Sequence, residues 1–392
     1  MRTPSLHCFD MVCVLSIDWL SIFCCCPAGH FGQNPNSVLQ PWQYKRRAYG
    51  TQMYKEMYDV YLWKRKICEV QCEPRNALMS SDSVLIKFDN RLLYCKDLWD
   101  IVNSFLDNHY LVVNNITRLD ICCDFNKLEY GEPEQLILDF LNSKIRHKGK
   151  GSGTAYFVHY NKNHPYECGT KQFLNYNGIS FGTHTSDVRV YMYNKTLELL
   201  TQKDKPYIRD TWKAAGLDTS KAVWRLEVSI KSGGMNIVDK DSGQKVVISL
   251  PLISDRGRLK TLYFSYVKKY FAFVRNEHAI RNITREPLLK LFEEMASAIN
   301  IGLVREVGCS NQSDKVFIKA LQTAAERFPY AKLDKDLLES LSEEVASSVD
   351  LFKWRLDRLQ EWQGVYEKSD TIEELNDMQE NPSVSTVYDL GV

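Results

Sequence analysis

Residues Ile116 to Phe125 read ITRLDICCDF. In an extended chain successive side chains point to opposite sides, so Arg118, Asp120, Cys122 and Asp124 share one face. Leu119, Ile121 and Cys123 take the other. Two carboxylates therefore enter the same space from a strand whose reverse side is apolar. Two more segments repeat the pattern. Val188 to Lys195 (VRVYMYNK) sets Arg189, Tyr191, Tyr193 and Lys195 against Val188, Val190 and Met192, and Val223 to Lys231 (VWRLEVSIK) sets Arg225, Glu227, Ser229 and Lys231 against Trp224, Leu226, Val228 and Ile230. The expected fold is thus α+β: an antiparallel sheet with helices packed on its apolar face and a polar face opposite, followed by a helical C-terminal region.

Working outward, Met11 to Cys26 is almost wholly apolar. Asp18 interrupts it, no basic cluster precedes it, and its length is short for a ~30 Å hydrocarbon core. It reads as a buried first strand, not as a targeting or membrane segment. Pro27 to Tyr49 reads as a loop, Val84 to Tyr94 as a strand or hairpin, and Leu98 to Leu106 as a helix with Leu98, Ile101, Val102 and Phe105 on one side. Pro133 starts a helix over Glu134 to Ile145. The run KGKGSG (Lys148 to Gly153) reads as a turn before a strand from Thr154 to Tyr160. It is an incomplete phosphate-loop pattern with no helix after it. Ile179 to Gly182 pairs with the Val188 strand, a helix lies near Asp210 to Ala215, and Leu259 to Val274 has helical spacing. Beyond Arg285 the pattern is helical. The domain reading is 1–285 strand-rich and site-bearing, 286–369 helical, and 370–392 an acidic flexible tail.

The 392 residues carry a net charge of +1, so no global positive field marks a polyanion partner and any nucleic-acid contact must rest on local patches. The 12 cysteines lack paired metal-ligand spacing and lie in apolar runs such as Cys24-Cys25-Cys26, which favours core thiols in a reducing cytoplasm. No membrane contact is expected.

If the three strands share one sheet, their polar face gathers Asp120, Asp124 and Glu227 with Tyr191, Tyr193, Lys195, Arg225, Arg118, Arg189 and Lys231. That set suits phosphodiester chemistry: three hard carboxylates for Mg²⁺ or Mn²⁺, a tyrosine nucleophile, and cations to neutralise charge on the phosphate. The alternative is a solvated sheet face. Basic residues near aromatics at Lys45, Arg46 and Arg47, at Lys64 to Lys66 and at Lys144 to Lys150 are candidate backbone contacts. His159 and His164 do not share a face as a His-hydrophobic-His metal pair would, and His184 precedes the tyrosine strand in a turn.

The blocks ITRLDICCDF (Ile116 to Phe125), FGTHTSDVRVYMYNKTLEL (Phe181 to Leu199), KPYIRDTWKAAGLD (Lys205 to Asp218) and VWRLEVSIK (Val223 to Lys231) together resemble the replication initiation factor family, with the same order of blocks over Val12 to Lys231. That family includes rolling-circle initiators of small plasmids and related relaxases of conjugative elements. The family's Tyr-x-Lys-x-x-Glu pattern falls on Tyr193, Lys195 and Glu198, so the resemblance implies Tyr193 as nucleophile, while Tyr191 leaves a swap or a two-tyrosine scheme open. It also implies metal positions at Asp120, Asp124 and Glu227, and nicking and rejoining of one strand at single-stranded or hairpin origin DNA through a 5′-phosphotyrosine. A helicase or other replication protein and a second copy of the chain are further partners it admits. Two rival readings are a non-catalytic DNA-binding regulator on the same fold and a metal-dependent nuclease that uses water.

Overall fold

A computed structural model describes residues 12–27, 31, 41–75, 79–148, 156–168, 171–201, 204–276 and 286–304, with the side chains of 156–175 left aside. The chain forms two compact units, 1–305 and 306–392. The second unit, and with it the expected helical region beyond 305 and the acidic tail, lies outside the described residues.

The first unit is built on a 10-stranded antiparallel sheet. Its strands are β1 (Val14–Cys25), β2 (Trp42–Arg46), β3 (Tyr54–Leu62), β4 (Arg65–Pro74), β5 (Ser83–Phe88), β6 (Val112–Phe125), β8 (Tyr156–Cys168), β9 (Lys171–Phe181), β10 (Val188–Asn194) and β11 (Trp224–Lys231), with β7 (Ile145–His147) outside it. Their spatial order is β2-β3-β4-β5-β1-β6-β11-β10-β9-β8. The apolar opening run is therefore a central strand, as its composition requires, because both its neighbours are hydrogen-bonded and one face is wholly covered. Smaller sheets join β7 to β14 (Phe273–Arg275) and β12 (Asn236–Asp239) to β13 (Lys245–Val247) and β15 (Ile301–Leu303).

Helices α1 (Asn90–Leu93), α2 (Leu98–Asn108), α3 (Pro133–Leu141), α4 (Lys195–Thr201), α5 (Pro206–Ala214), α6 (Leu250–Ser254) and α7 (Arg256–Tyr270) complete the unit. The main core lies under the apolar face, where Leu119, Ile121, Val190, Met192, Leu226 and Val228 meet Leu262, Tyr263 and Val267 of α7. Each such side chain taken fully out of water contributes roughly 1.5–3 kcal/mol. The Tyr263 hydroxyl donates to the Leu226 carbonyl at 2.8 Å, which fixes α7 under β11. A second, smaller cluster of Val14, Leu199, Ile208, Trp212, Leu217 and Val223 packs α4 and α5 at one end of the opposite, polar face.

Several sequence readings change, among them the ends of two helices: α3 stops at Leu141, with Ile145 already in β7, and α7 stops at Tyr270, with Phe273 to Arg275 in β14. The loop expected over Pro27 to Tyr49 contains the edge strand β2, whose short alternation of Trp42, Tyr44 and Arg46 was masked by the polar residues around it. Val84 to Tyr94 is not a hairpin: the strand ends at Phe88, and the Asp89 carboxylate accepts from the Arg91 amide to cap α1. The described stretch after 285 is not helical, since it holds only a 3-10 turn (Glu293–Ala296) and β15, with Leu291, Phe292 and Met295 buried in the main core. Finally, Cys13 and Cys123, read as core thiols, are joined in a disulfide with Cα atoms 6.1 Å apart, because adjacent strands hold them side by side. Among the described residues no helix is long and apolar enough to cross a membrane.

Candidate active site

The three polar-faced strands are neighbours in the order β6-β11-β10, and their register aligns the side chains in rows. Arg225 pairs with Asp124 on one side and Tyr193 on the other. Glu227 pairs with Cys122 and Tyr191, Ser229 with Asp120 and Arg189, and Lys231 with Arg118. Asp120, Asp124, Glu227, Tyr191, Tyr193, Arg225, Arg118, Arg189 and Lys231 are thus brought to one face. Lys195 arrives by a different route. β10 ends at Asn194 and Lys195 opens α4, yet its buried Nζ turns back to donate to the Tyr193 hydroxyl at 3.3 Å.

At the capped end Arg225 is fully buried among acceptors. Its Nε and Nη2 donate to the two oxygens of Asp124 at 2.6 and 2.8 Å, and its Nη1 donates to Asp18 at 2.7 Å. Trp212 Nε1 also donates to Asp124, at 2.6 Å, and the Tyr94 hydroxyl donates to Asp18, again at 2.6 Å. Burial alone would drive the Asp18 carboxyl toward the neutral form. Arg225, with help from Lys195 and Tyr94, outweighs it and holds the group well below the usual carboxylate range. Burial likewise opposes the Arg225 charge, and Asp124 overcomes it. Asp18 reaches this face through a bulge: β1 pairs Ile17 with Ile121 and Trp19 with Asp120, leaving Asp18 as an extra residue turned toward Arg225.

One row along, the Tyr193 hydroxyl donates to Glu227 Oε2 at 3.1 Å while it receives the Lys195 bond. Lys195 also pairs with Glu198. Every residue of the Tyr-x-Lys-x-x-Glu pattern is therefore linked. Burial, then repulsion from Asp18 and Asp120, pushes the Glu227 carboxyl up to about 7. Burial and the adjacent Glu227 hold the Tyr193 hydroxyl well above its ordinary value, and burial raises Tyr191 to about 12. The two tyrosine rings stack with centroids 4.4 Å apart. Room for that stack comes from Gly178 on β9, paired with Tyr193: a Cβ there would lie 2.8 Å from the Met192 carbonyl oxygen and 3.0 Å from Tyr193 Cβ.

Farther along, Asp120 accepts from Arg118 Nε (3.0 Å) and Nη2 (2.6 Å) and from the Ser229 hydroxyl (2.6 Å). Arg189 donates to Ser180 Oγ at 3.3 Å, and Lys231 donates to the His184 carbonyl. Lys45, Arg46 and Arg47 are not brought to this site. They lie on or next to β2, at the far edge of the sheet, where Arg46 pairs with Glu56 and Arg47 with Asp59 and Glu69. Lys66 likewise pairs with Asp59. The side chains of His159 and His164, and the glycine run from 149, lie outside the described residues.

The carboxylate set expected to hold Mg²⁺ or Mn²⁺ does not form a ready cage. Asp124 accepts from Arg225 and Trp212, Asp120 is engaged by Arg118 and Ser229, and Glu227 is turned to Tyr193. Among the described residues no cluster of three or more metal-capable side chains is found. Asp124 anchors Arg225, with one carboxylate oxygen on Nε and the other on Nη2.

Asp18, Tyr94, Trp212 and Ser229 were missed as site residues. For Asp18 a signal existed. A carboxylate inside an otherwise apolar central strand is costly unless it meets a cation, and that cost points to a buried Arg or Lys elsewhere. Tyr94 and Trp212 carry no such mark, because aromatic residues at helical spacing are ordinary core.

No protein-family model and no curated protein matches the chain. Among solved structures it is similar to a rolling circle replication initiator protein from Geobacillus stearothermophilus, at 13% identity and a TM-score of 0.40, over 71% of this chain and 92% of that one.

Proposed function

We propose that this chain is a DNA strand-nicking and strand-joining enzyme of the rolling-circle initiator or relaxase type. The observation that carries the reading is the placement of the Tyr193 hydroxyl between the Glu227 carboxylate (3.1 Å) and the Lys195 ammonium (3.3 Å). A phenol that titrates high is a poor nucleophile at neutral pH. It becomes a good one if a base takes its proton as it attacks. Glu227, raised to about 7, is matched to that task, since a general base works best with a pKa near the working pH.

In the proposed reaction Tyr193 Oη attacks a backbone phosphorus of a single DNA strand. The new O–P bond forms as the bond to the 3′-oxygen breaks, the Tyr193 proton passes to Glu227, and the departing 3′-oxygen takes a proton from water to leave as a 3′-hydroxyl. Lys195 sits where charge grows on the attacking oxygen and the phosphate. Arg225 is a positioning residue: tied to Asp124 and Asp18, it fixes the β1, β6 and β11 backbones around Glu227. Rejoining is the reverse: a 3′-hydroxyl gives its proton to water as its oxygen attacks the 5′-phosphotyrosine, the Tyr193 O–P bond breaks, and Glu227 returns a proton to the phenol. The phosphotyrosyl link conserves the bond energy, so no nucleotide is consumed. If Mg²⁺ or Mn²⁺ is recruited, Asp120 would hold it once Arg118 lets go, and the ion would polarise the scissile phosphate, while Glu227 keeps the base role.

The experiment is a labelled single strand incubated with protein, with and without Mn²⁺, and resolved under denaturing conditions. A protein-linked band in wild type and Tyr191→Phe, lost in Tyr193→Phe, supports the reading. Cleavage that survives Tyr193→Phe without a linked band would instead identify a water-using nuclease, and binding with no cleavage would identify a regulator.

A further inference from the structure

Beyond the nucleophile's row, the polar face carries an aligned line of cations that the proposed chemistry does not use. Across β5, β1, β6 and β11 the register runs Lys87, Ser21, Arg118, Lys231. The next row places Trp19, Asp120, Ser229 and Arg189 side by side. Trp19 stands between the cations on either side of it: Lys87 Nζ lies 4.0 Å from its ring centroid and the Arg118 guanidinium 4.4 Å. The acidic neighbours of this line are already engaged. Asp120 neutralises Arg118, and Glu69, the cross-strand partner of Lys87, pairs with Arg47, so Lys87 and Lys231 are the cations of the line with no ion-pair partner among the described residues. At the end nearest the tyrosines, Arg189 Nε is buried with no acceptor, a donor whose burial is costly until something accepts from it. Adjacent strands are about 4.8 Å apart and alternate residues about 6.8 Å, so Trp19 lies roughly 20 Å from Tyr193 across the face.

We infer that this line is a single-stranded DNA track: the strand runs from Tyr193 past Arg189 and Lys231 to Arg118 and Lys87, and Trp19 stacks a base. The inference rests on the nicking reading for its direction, but the binding it describes is independent of cleavage. Charge complementarity commits the occupant to a polyanion. An aromatic ring set among the cations favours unpaired bases, because a stacking platform works only on a base whose face is open. Arg118, fixed by Asp120, is the rigid side of the platform, and Lys87 is the long flexible side chain able to swing from the ring to a phosphate when a base takes its place.

The test uses full-length protein carrying Tyr193→Phe, which removes chemistry, with labelled oligothymidylate, oligouridylate and a blunt duplex, read by fluorescence anisotropy. Expected are an approximately tenfold weaker affinity for oligothymidylate in Trp19→Ala, near-normal affinity in Trp19→Phe, and a salt slope shallower by about 0.7 in Lys87→Gln. Thermal melts of each variant confirm folding, and Trp19→Phe and Lys87→Gln keep the test valid should Trp19→Ala not fold. Unchanged affinity in Trp19→Ala with an unchanged slope in Lys87→Gln overturns the track. Tighter binding of the duplex or of oligouridylate than of oligothymidylate overturns the DNA assignment. A wild-type protein that forms no covalent adduct while the Trp19 and Lys87 effects hold removes the nicking reading and leaves the track standing. An adduct formed equally by wild type and Trp19→Ala, with equal affinity, does the opposite.

Discussion

Tyr193 and Glu227 make a pair whose pH behaviour can be stated in advance. If Glu227 must be ionised to accept the phenolic proton, nicking by the wild type should rise about tenfold per pH unit below 7 and level off above it. Glu227→Gln should lose that rise and slow the reaction by about 10²–10⁴-fold. The same residue predicts an opposite effect on stability. Its folded carboxyl titrates near 7 and an unfolded one near 4.3, so folding favours the protonated form. That contribution is complete below the unfolded value and is lost as pH climbs through 7. Glu227→Gln, neutral at every pH, should therefore melt higher than wild type at pH 8, by on the order of 1–3 kcal/mol, and equally at pH 4. A variant that is no more stable at pH 8 would show that the carboxyl titrates in the ordinary range. Tyr193→Phe is expected to cut adduct formation by roughly three orders of magnitude or more, whereas Tyr191→Phe should keep it within about tenfold.

Between elements, two contacts set where those atoms stand. Arg225 links β11 to β6 through Asp124 and to the β1 bulge through Asp18. Replacing it with Met removes the one cation that hydrogen-bonds both Asp124 and Asp18, and a cost of about 3–5 kcal/mol in urea unfolding is expected. Trp212→Phe, which deletes one of the bonds to Asp124, should cost only about 1–2 kcal/mol. The second contact is the close approach of β9 to β10. Gly178→Ala has no space for its methyl against the Met192 carbonyl and Tyr193 Cβ, so β10 must shift or the tyrosine stack must open. The expected result is a folded protein whose adduct formation drops by more than its stability does, read by comparing rate with melting temperature. An unchanged rate would mean that the stack does not position Tyr193.

For the molecule as a whole, the near-zero net charge means that the proposed DNA affinity must come from local patches, not from a general field. It also makes the limits of the first unit testable. Leu291, Phe292, Met295 and Ile301 lie in the main core, so a chain ended at Arg285 should be unfolded or heavily destabilised. One ended at Arg305 should retain the cooperative melt of the sheet domain. Equal melting of the two chains would place those side chains outside the stabilising core.

Alternation alone determined a good deal: which residues of Ile116–Phe125, Val188–Lys195 and Val223–Lys231 point to the polar side, and that an apolar sheet face must be covered. It could do so because the side-chain period of a strand is a local, steric property. What it could not determine was pairing. That β6, β11 and β10 lie next to one another, that a bulge turns Asp18 toward Arg225, and that Asp124 anchors Arg225 are results of register between segments up to about two hundred residues apart. The same holds for Lys195, whose periodicity placed it on the strand face, although it reaches Tyr193 from the first turn of a helix. Local sequence sets the direction of each side chain. Only the packed sheet decides which charges meet, because the energy of a buried ion pair belongs to both partners and is written in neither segment alone.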